Sequence, residues 1–147
     1  MDDNEKIAYY LRHGWAPVSY KHLNPALRAL IKAMGYRPRM KECFQNTQRI
    51  FMEAHMRRMP WVARLAYHEG WISSLGVPVQ HAWLSLDGEN QDPTLDNKAP
   101  VDYLASNSYT VSQVRNSIIT TQMYTAVNQR ALTQLLGIEV RAILVDE

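Results

Sequence analysis

Three short stretches carry residue types suited to acyl transfer through a thiol: Lys41-Glu42-Cys43-Phe44, Gln80-His81-Ala82-Trp83 and Asp92-Pro93-Thr94. Thiol chemistry runs through the thiolate, whose ordinary pKa near 8.5 falls at a helix N-terminus or beside cations. Cys43 is the only cysteine, and Arg39 and Lys41 stand just ahead of it. A histidine within hydrogen-bonding reach activates such a thiol and later protonates the leaving group. A carboxylate behind that histidine selects its tautomer and stabilises the imidazolium. Cys43, His81 and Asp92 are therefore the candidate nucleophile, general base and orienting acid.

The elements that must position them can be read from pattern. Asn24-Pro25 predicts an N-cap followed by proline at the first helical position, with a helix to Met34 that stops at Gly35. Leu27, Leu30, Ile31 and Met34 repeat at three- and four-residue spacing along it. A further helix is predicted from about Lys41 to Arg58, with Phe44, Thr47, Ile50 or Phe51, and Ala54 turned inward and Cys43 in its first turn. The period then changes. Residues 64–71 alternate as a strand does, Val79 to Leu86 reads as a second strand, and Glu89 to Thr94 as a third. Asp87-Gly88 between the last two is a two-residue hairpin signal.

That hairpin sets a testable register. With Asp87-Gly88 as the turn, Leu86 faces Glu89, Leu84 faces Gln91 and Trp83 faces Asp92. His81 and Trp83 then share a face with Asp92 and Thr94, and Asp92 is the diagonal neighbour of His81 at roughly 5.5–8 Å between Cα atoms. A slip of one residue would move Asp92 to the opposite face.

Elsewhere the pattern predicts a helix over Asp3 to His13, a short helix after Pro100, and a longer one from Val111 to Leu136 that breaks near Thr120-Thr121. A last strand is expected over Ile138 to Val145. Helices, an antiparallel meander, more helices and a closing strand make the expected class α+β, an antiparallel sheet packed against helices. With 147 residues, no repeat and no linker, the chain reads as one domain over residues 1–147.

Composition narrows the partners. Hydrophobic residues make up 46% of the chain, enough for a core without disulfides or a structural metal. A formal charge of +2 is too mild to argue for nucleic acid. A single cysteine and an acidic, polar N-terminus without signal-peptide character point to the reducing cytoplasm. No apolar run has the length to span a bilayer, so no membrane is expected.

At Cys43, His81-Ala82-Trp83, Gly88 and Asp92-Pro93-Thr94 the chain resembles the transglutaminase-like branch of the papain-like superfamily. There a cysteine at a helix N-terminus precedes a strand with His-Ala-Trp, a glycine turn and a strand with Asp-Pro-Thr, in the same order. The resemblance covers about a third of the chain, from Lys41 to Leu95. It implies a papain-like core and attack by Cys43 on an amide or ester carbonyl of a protein or peptide. The resulting thioester would pass to water or an amine, with no cofactor. The activity would be that of a peptidase, deamidase or transglutaminase. The Cys43 N–H would serve as one oxyanion donor. No side chain upstream identifies a second, which keeps open another reading: the same fold retained as a non-catalytic binding or inhibitor module. A small enzyme or inhibitor of this kind would suit a phage or bacterial effector.

Other residues have plainer explanations. Trp83 reads first as a core aromatic, although with Glu69 and Gln45 it is also a candidate for substrate contact. Cys43, His55, His68 and His81 lack the tight spacing of zinc ligands, so no metal is expected. Arg37, Arg39, Lys41, Arg49, Arg57, Arg58 and Arg64 bracket the cysteine helix and read as a solvated face. They could also draw an acidic protein, whereas the lack of interleaved aromatics argues against nucleic acid.

Overall fold

The computed structural model describes Glu5, Ala8, Arg12 and residues 16–18, 20–74, 77–95 and 103–127. Three helices, α1 (Pro25–Ala33), α2 (Cys43–Met56) and α3 (Val111–Thr121), accompany a six-stranded sheet. The strands are β1 (Ala16–Val18), β2 (Tyr20–Lys21), β3 (Leu65–Ser74), β4 (Val77–Leu86), β5 (Glu89–Gln91) and β6 (Tyr103–Tyr109), in the spatial order β1-β6-β3-β4-β5-β2. Every pairing is antiparallel except that of β2 with β5. The class is α+β.

Local chemistry accounts for the elements near the thiol. The Asn24 side chain accepts from the Ala26 N–H at 2.8 Å, Pro25 opens α1, and Gly35 follows it with φ 64°. Leu27, Leu30 and Ile31 bury against α2 and the sheet, in one cluster with Ile50, Phe51, Tyr67, Leu84 and Leu86. Lys41 sits at φ 70°, in the left-handed region that costs a non-glycine residue about 1–2 kcal/mol, and turns the chain sharply into α2. The Thr47 hydroxyl, one turn into α2, donates to the Ala82 carbonyl at 3.2 Å. That bond moors the start of the helix beside His81.

The hairpin adopts the expected register, with Leu84 opposite Gln91 and Leu86 opposite Glu89. Asp87 and Gly88 both have positive φ, 54° and 79°, as a two-residue turn matched to strand twist requires. Arg64 forms an ion pair with the Asp87 carboxylate across the turn. On β4, Ala82, Leu84 and Leu86 join the cluster under the helices, while Trp83 joins Ile72, Leu95 and Tyr103 in a second one.

Two expectations need correction. The third strand ends at Gln91 rather than Thr94, because Pro93 has no N–H and Asp92 Oδ1 accepts from the Thr94 and Leu95 amides at 3.0 and 3.1 Å, folding a turn there. In place of a short helix after Pro100 stands β6, antiparallel to β1 and β3. The longer helical segment breaks at Thr121, as expected: Gln122 takes a left-handed cap at φ 55° and the Thr121 hydroxyl bonds to the Ser117 carbonyl at 2.6 Å, while residues 128–136 of that segment lie outside the described residues. Its start follows a capping box between Thr110 and Gln113. The strand predicted over Ile138 to Val145 lies outside the described residues, as does most of the helix predicted over Asp3 to His13. Glu5, Ala8 and Arg12 of the latter are helical.

Candidate active site

Cys43 is the first residue of α2, and no side chain caps that helix end, so its first-turn N–H groups have no capping partner. The Cys43 side chain lies beside the His81 imidazole, close enough to raise its pKa. On the far side of the ring, His81 Nε2 lies 2.7 Å from Asp92 Oδ2. With Nε2 committed to the carboxylate, Nδ1 is the nitrogen left to meet the thiol. The three predicted residues are thus together and almost enclosed, with exposures of 8% for Cys43, 4% for His81 and 0% for Asp92.

Burial by itself disfavours a charged imidazole. Here it is outweighed by the hydrogen bond to the Asp92 carboxylate, the neighbouring Cys43 sulfur and the Asp92 charge, so the His81 pKa rises from 6.5 to about 9. His81 is therefore an imidazolium at neutral pH.

The surroundings hold the ring in place. Trp83 stacks beside it with centroids 6.1 Å apart, and His68 stacks beyond at 6.0 Å from the indole. The residue across the ladder from His81 on β3 is Gly70, which brings no side chain against the imidazole from that strand. A bulge between Glu69 and Gly70 displaces the register with β6 at the same level.

Two residues that the sequence pattern did not single out complete the arrangement. The Tyr103 hydroxyl, fully buried, donates to Asp92 Oδ2 at 2.6 Å. Asp92 therefore receives four donors: the Thr94 and Leu95 amides at Oδ1, His81 and Tyr103 at Oδ2. Asn46, also fully buried, donates from Nδ2 to the Arg39 carbonyl at 2.7 Å and to Thr94 Oγ1 at 2.8 Å, and its Oδ1 accepts from the Tyr36 hydroxyl at 2.6 Å. It ties α2, the loop before Cys43 and the Asp-Pro-Thr turn into one unit. Tyr103 was hidden by the helix expected there. For Asn46 the available signal was its place one turn into α2, on the helix that carries the cysteine.

Two candidates for substrate contact are corrected. Trp83 is completely buried, sandwiched between rings, and its indole N–H donates to Asn90 Oδ1 at 3.2 Å, so it forms the wall behind His81. Glu69 is buried on the opposite side of its strand from His68, where its Oε2 accepts from the Tyr67 hydroxyl and the Val127 N–H, each at 2.7 Å. It holds the chain around residue 127 onto the sheet. Gln45 does line a cavity, with Tyr36, Arg37, Arg39 and Arg49, whose lining includes none of Cys43, His81 and Asp92. Of the histidines once weighed as metal ligands, His68 has its two nitrogens 2.7 and 3.0 Å from the Ser85 and Ser108 hydroxyls, and His55 packs edge-on against Phe51. Among the described residues, no group of three or more His, Cys, Asp or Glu is placed to hold a metal ion. No described helix is long and apolar enough to cross a membrane.

Searches of protein-family models, curated proteins and solved structures found no match to this chain. The geometry of the site therefore carries the functional reading.

Proposed function

We propose that the chain is a cysteine-dependent acyl-transfer enzyme that opens an amide or ester bond of a protein or peptide through a thioester on Cys43. The observation that carries this reading is the ordered contact of thiol, imidazole and buried carboxylate, with His81 charged at neutral pH beside Cys43. A buried structural cysteine has no need of a charged imidazole held against it by a carboxylate.

The steps follow from these contacts. The Cys43 sulfur, as thiolate, adds to the carbonyl carbon, and the oxyanion that forms meets the uncapped N–H groups at the start of α2. His81 passes its proton to the departing amine or alcohol as the carbon–heteroatom bond breaks, leaving a thioester. Water or an amine then adds to the thioester. His81 accepts its proton, the carbon–sulfur bond breaks, and the thiolate is restored beside the imidazolium. Asp92 stays ionised throughout, fixing the ring through Nε2, and Tyr103 fixes Asp92.

The test is the rate of alkylation of Cys43 by iodoacetamide near neutral pH. It should exceed that of a free thiol and drop to that level in His81→Ala. Alkylation no faster than a free thiol in the wild-type chain overturns the proposal. The enclosure of the thiol favours a second reading, a binding or inhibitor module of the same fold without turnover. Under that reading Cys43→Ala and His81→Ala would bind the partner unchanged, and mass spectrometry would find no modified product.

A further inference from the structure

The loop between α1 and Cys43 separates two surface cavities whose charge is one-sided. One, of about 390 Å³, lies against the Asp-Pro-Thr turn and is lined by Arg28, Lys32, Pro38, Met40, Pro93 and Thr94 among others. The second, of about 330 Å³, is lined by Tyr36, Arg37, Arg39, Gln45 and Arg49 among others. Five cations thus face the two cavities, and neither lining contains a carboxylate. The whole chain is nearly balanced, with 16 basic and 14 acidic residues, so this is local segregation of charge. Arg49 is positioned in advance, its guanidinium 4.4 Å from the centre of the Tyr36 ring. Arg39 meets Glu42 only at 3.9 Å, and among the described residues neither Lys32 nor Arg37 has a carboxylate partner.

Both cavities are built on the parts that frame the candidate site. Pro93 and Thr94 directly follow Asp92, Met40 lies three residues before Cys43, and Asn46 links Tyr36, Arg39 and Thr94. We infer that this face is the docking site for an acidic segment of the protein or peptide that Cys43 acts on. Carboxylates would engage Arg37, Arg39 and Arg49 on one side of the loop and Lys32 on the other. Apolar side chains between them would rest on Pro38, Met40 and Pro93. The substrate class rests on the acyl-transfer reading, while the binding itself can be measured without turnover. Charge complementarity favours a carboxylate-rich polypeptide over a nucleic acid, because Tyr36, the one aromatic ring among the described residues that line the two cavities, is half-buried and already covered by Arg49.

The experiment uses full-length Cys43→Ala protein and fluorescence anisotropy with a fluorescein-labelled peptide of alternating Glu and Ser, near physiological ionic strength. Binding should weaken at least about tenfold in the double variant Arg37→Glu/Arg39→Glu and again in Lys32→Glu. It should be unchanged in Arg58→Glu, which lies beyond the far end of α2, about 20 Å along the helix. Circular dichroism of each variant checks that the fold is kept. Undetectable binding, or binding insensitive to the loop substitutions, overturns the inference. Tighter binding of a single-stranded oligonucleotide under the same conditions also overturns it, in favour of nucleic acid. These outcomes are independent of the alkylation rate of Cys43, so loss of the docking site and loss of the catalytic reading can be told apart.

Discussion

At the scale of single residues, His81 is where protonation, stability and activity meet. Its pKa is raised on folding from 6.5 to about 9, so the folded chain binds its proton more tightly than the unfolded chain. The stabilisation is fully present below pH 6.5 and is lost as pH rises through about 9. A shift of that size corresponds to roughly 3 kcal/mol. Melting temperatures should decline across that interval, and the decline should disappear in His81→Gln. Tyr103 tunes the same proton from behind. Removing its hydroxyl in Tyr103→Phe leaves Asp92 a stronger acceptor for His81, so the imidazole titration should move to higher pH in an NMR titration. The variant should also lose about 1.5–3 kcal/mol of stability, the usual worth of a hydrogen bond to a charged group. An unmoved titration would count against Tyr103 as a positioning residue. The grouping of Cys43, His81 and Asp92 was legible because the chain has one cysteine and the spacing of His81 and Asp92 fits a hairpin. Tyr103 was not, since it reaches Asp92 from a strand that no local pattern announced.

At the scale of elements, the β4–β5 hairpin decides whether there is a site at all. The period of a strand is two, so its turn length selects the face on which Asp92 emerges. One glycine inserted after Gly88 should uncouple Asp92 from His81 and bring the Cys43 alkylation rate to that of a free thiol, with the helices intact by circular dichroism. A rapid rate retained by the insertion protein would show that the register is held by something other than the turn. This hairpin was readable in advance because Asp87-Gly88 is a strong signal and alternating residues flank it. Strand β6, inside the sheet, was harder to see. Residues 103–109, Tyr-Leu-Ala-Ser-Asn-Ser-Tyr, have no β-branched member, and their pairing with both β1 and β3 is a tertiary preference that overrides local propensity. The break of α3, in contrast, was legible in the Thr120-Thr121 pair, and the Thr121 hydroxyl makes the bonds that end the helix.

At the scale of the molecule, a buried polar chain joins the helix layer to the sheet. Gln48 on α2 donates to the Tyr67 hydroxyl at 3.0 Å and to the Thr125 carbonyl at 2.7 Å, and Glu69 accepts from Tyr67 and Val127. Burial, followed by the Glu69 charge, holds the Tyr67 pKa well above its ordinary value and pushes Tyr109 up to about 12. Glu69→Ala should cost roughly 2–4 kcal/mol in denaturant unfolding, because it strands a buried hydroxyl and a buried amide. It should also speed hydrogen exchange at the Val127 amide, and unaltered exchange there would show that Glu69 does not hold this segment. The carboxylate of Asp92 has a different implication, for how far the sequence can drift. Two backbone amides hold one of its oxygens, while His81 and Tyr103 meet the other; an asparagine of the same outline could keep the amides, but its NH2 end would oblige the imidazole and the hydroxyl to accept, moving the ring hydrogen to Nδ1. The nearest look-alike would therefore keep the shape and reverse the tautomer, so what an acid contributes at this position is the choice of which ring nitrogen faces the thiol.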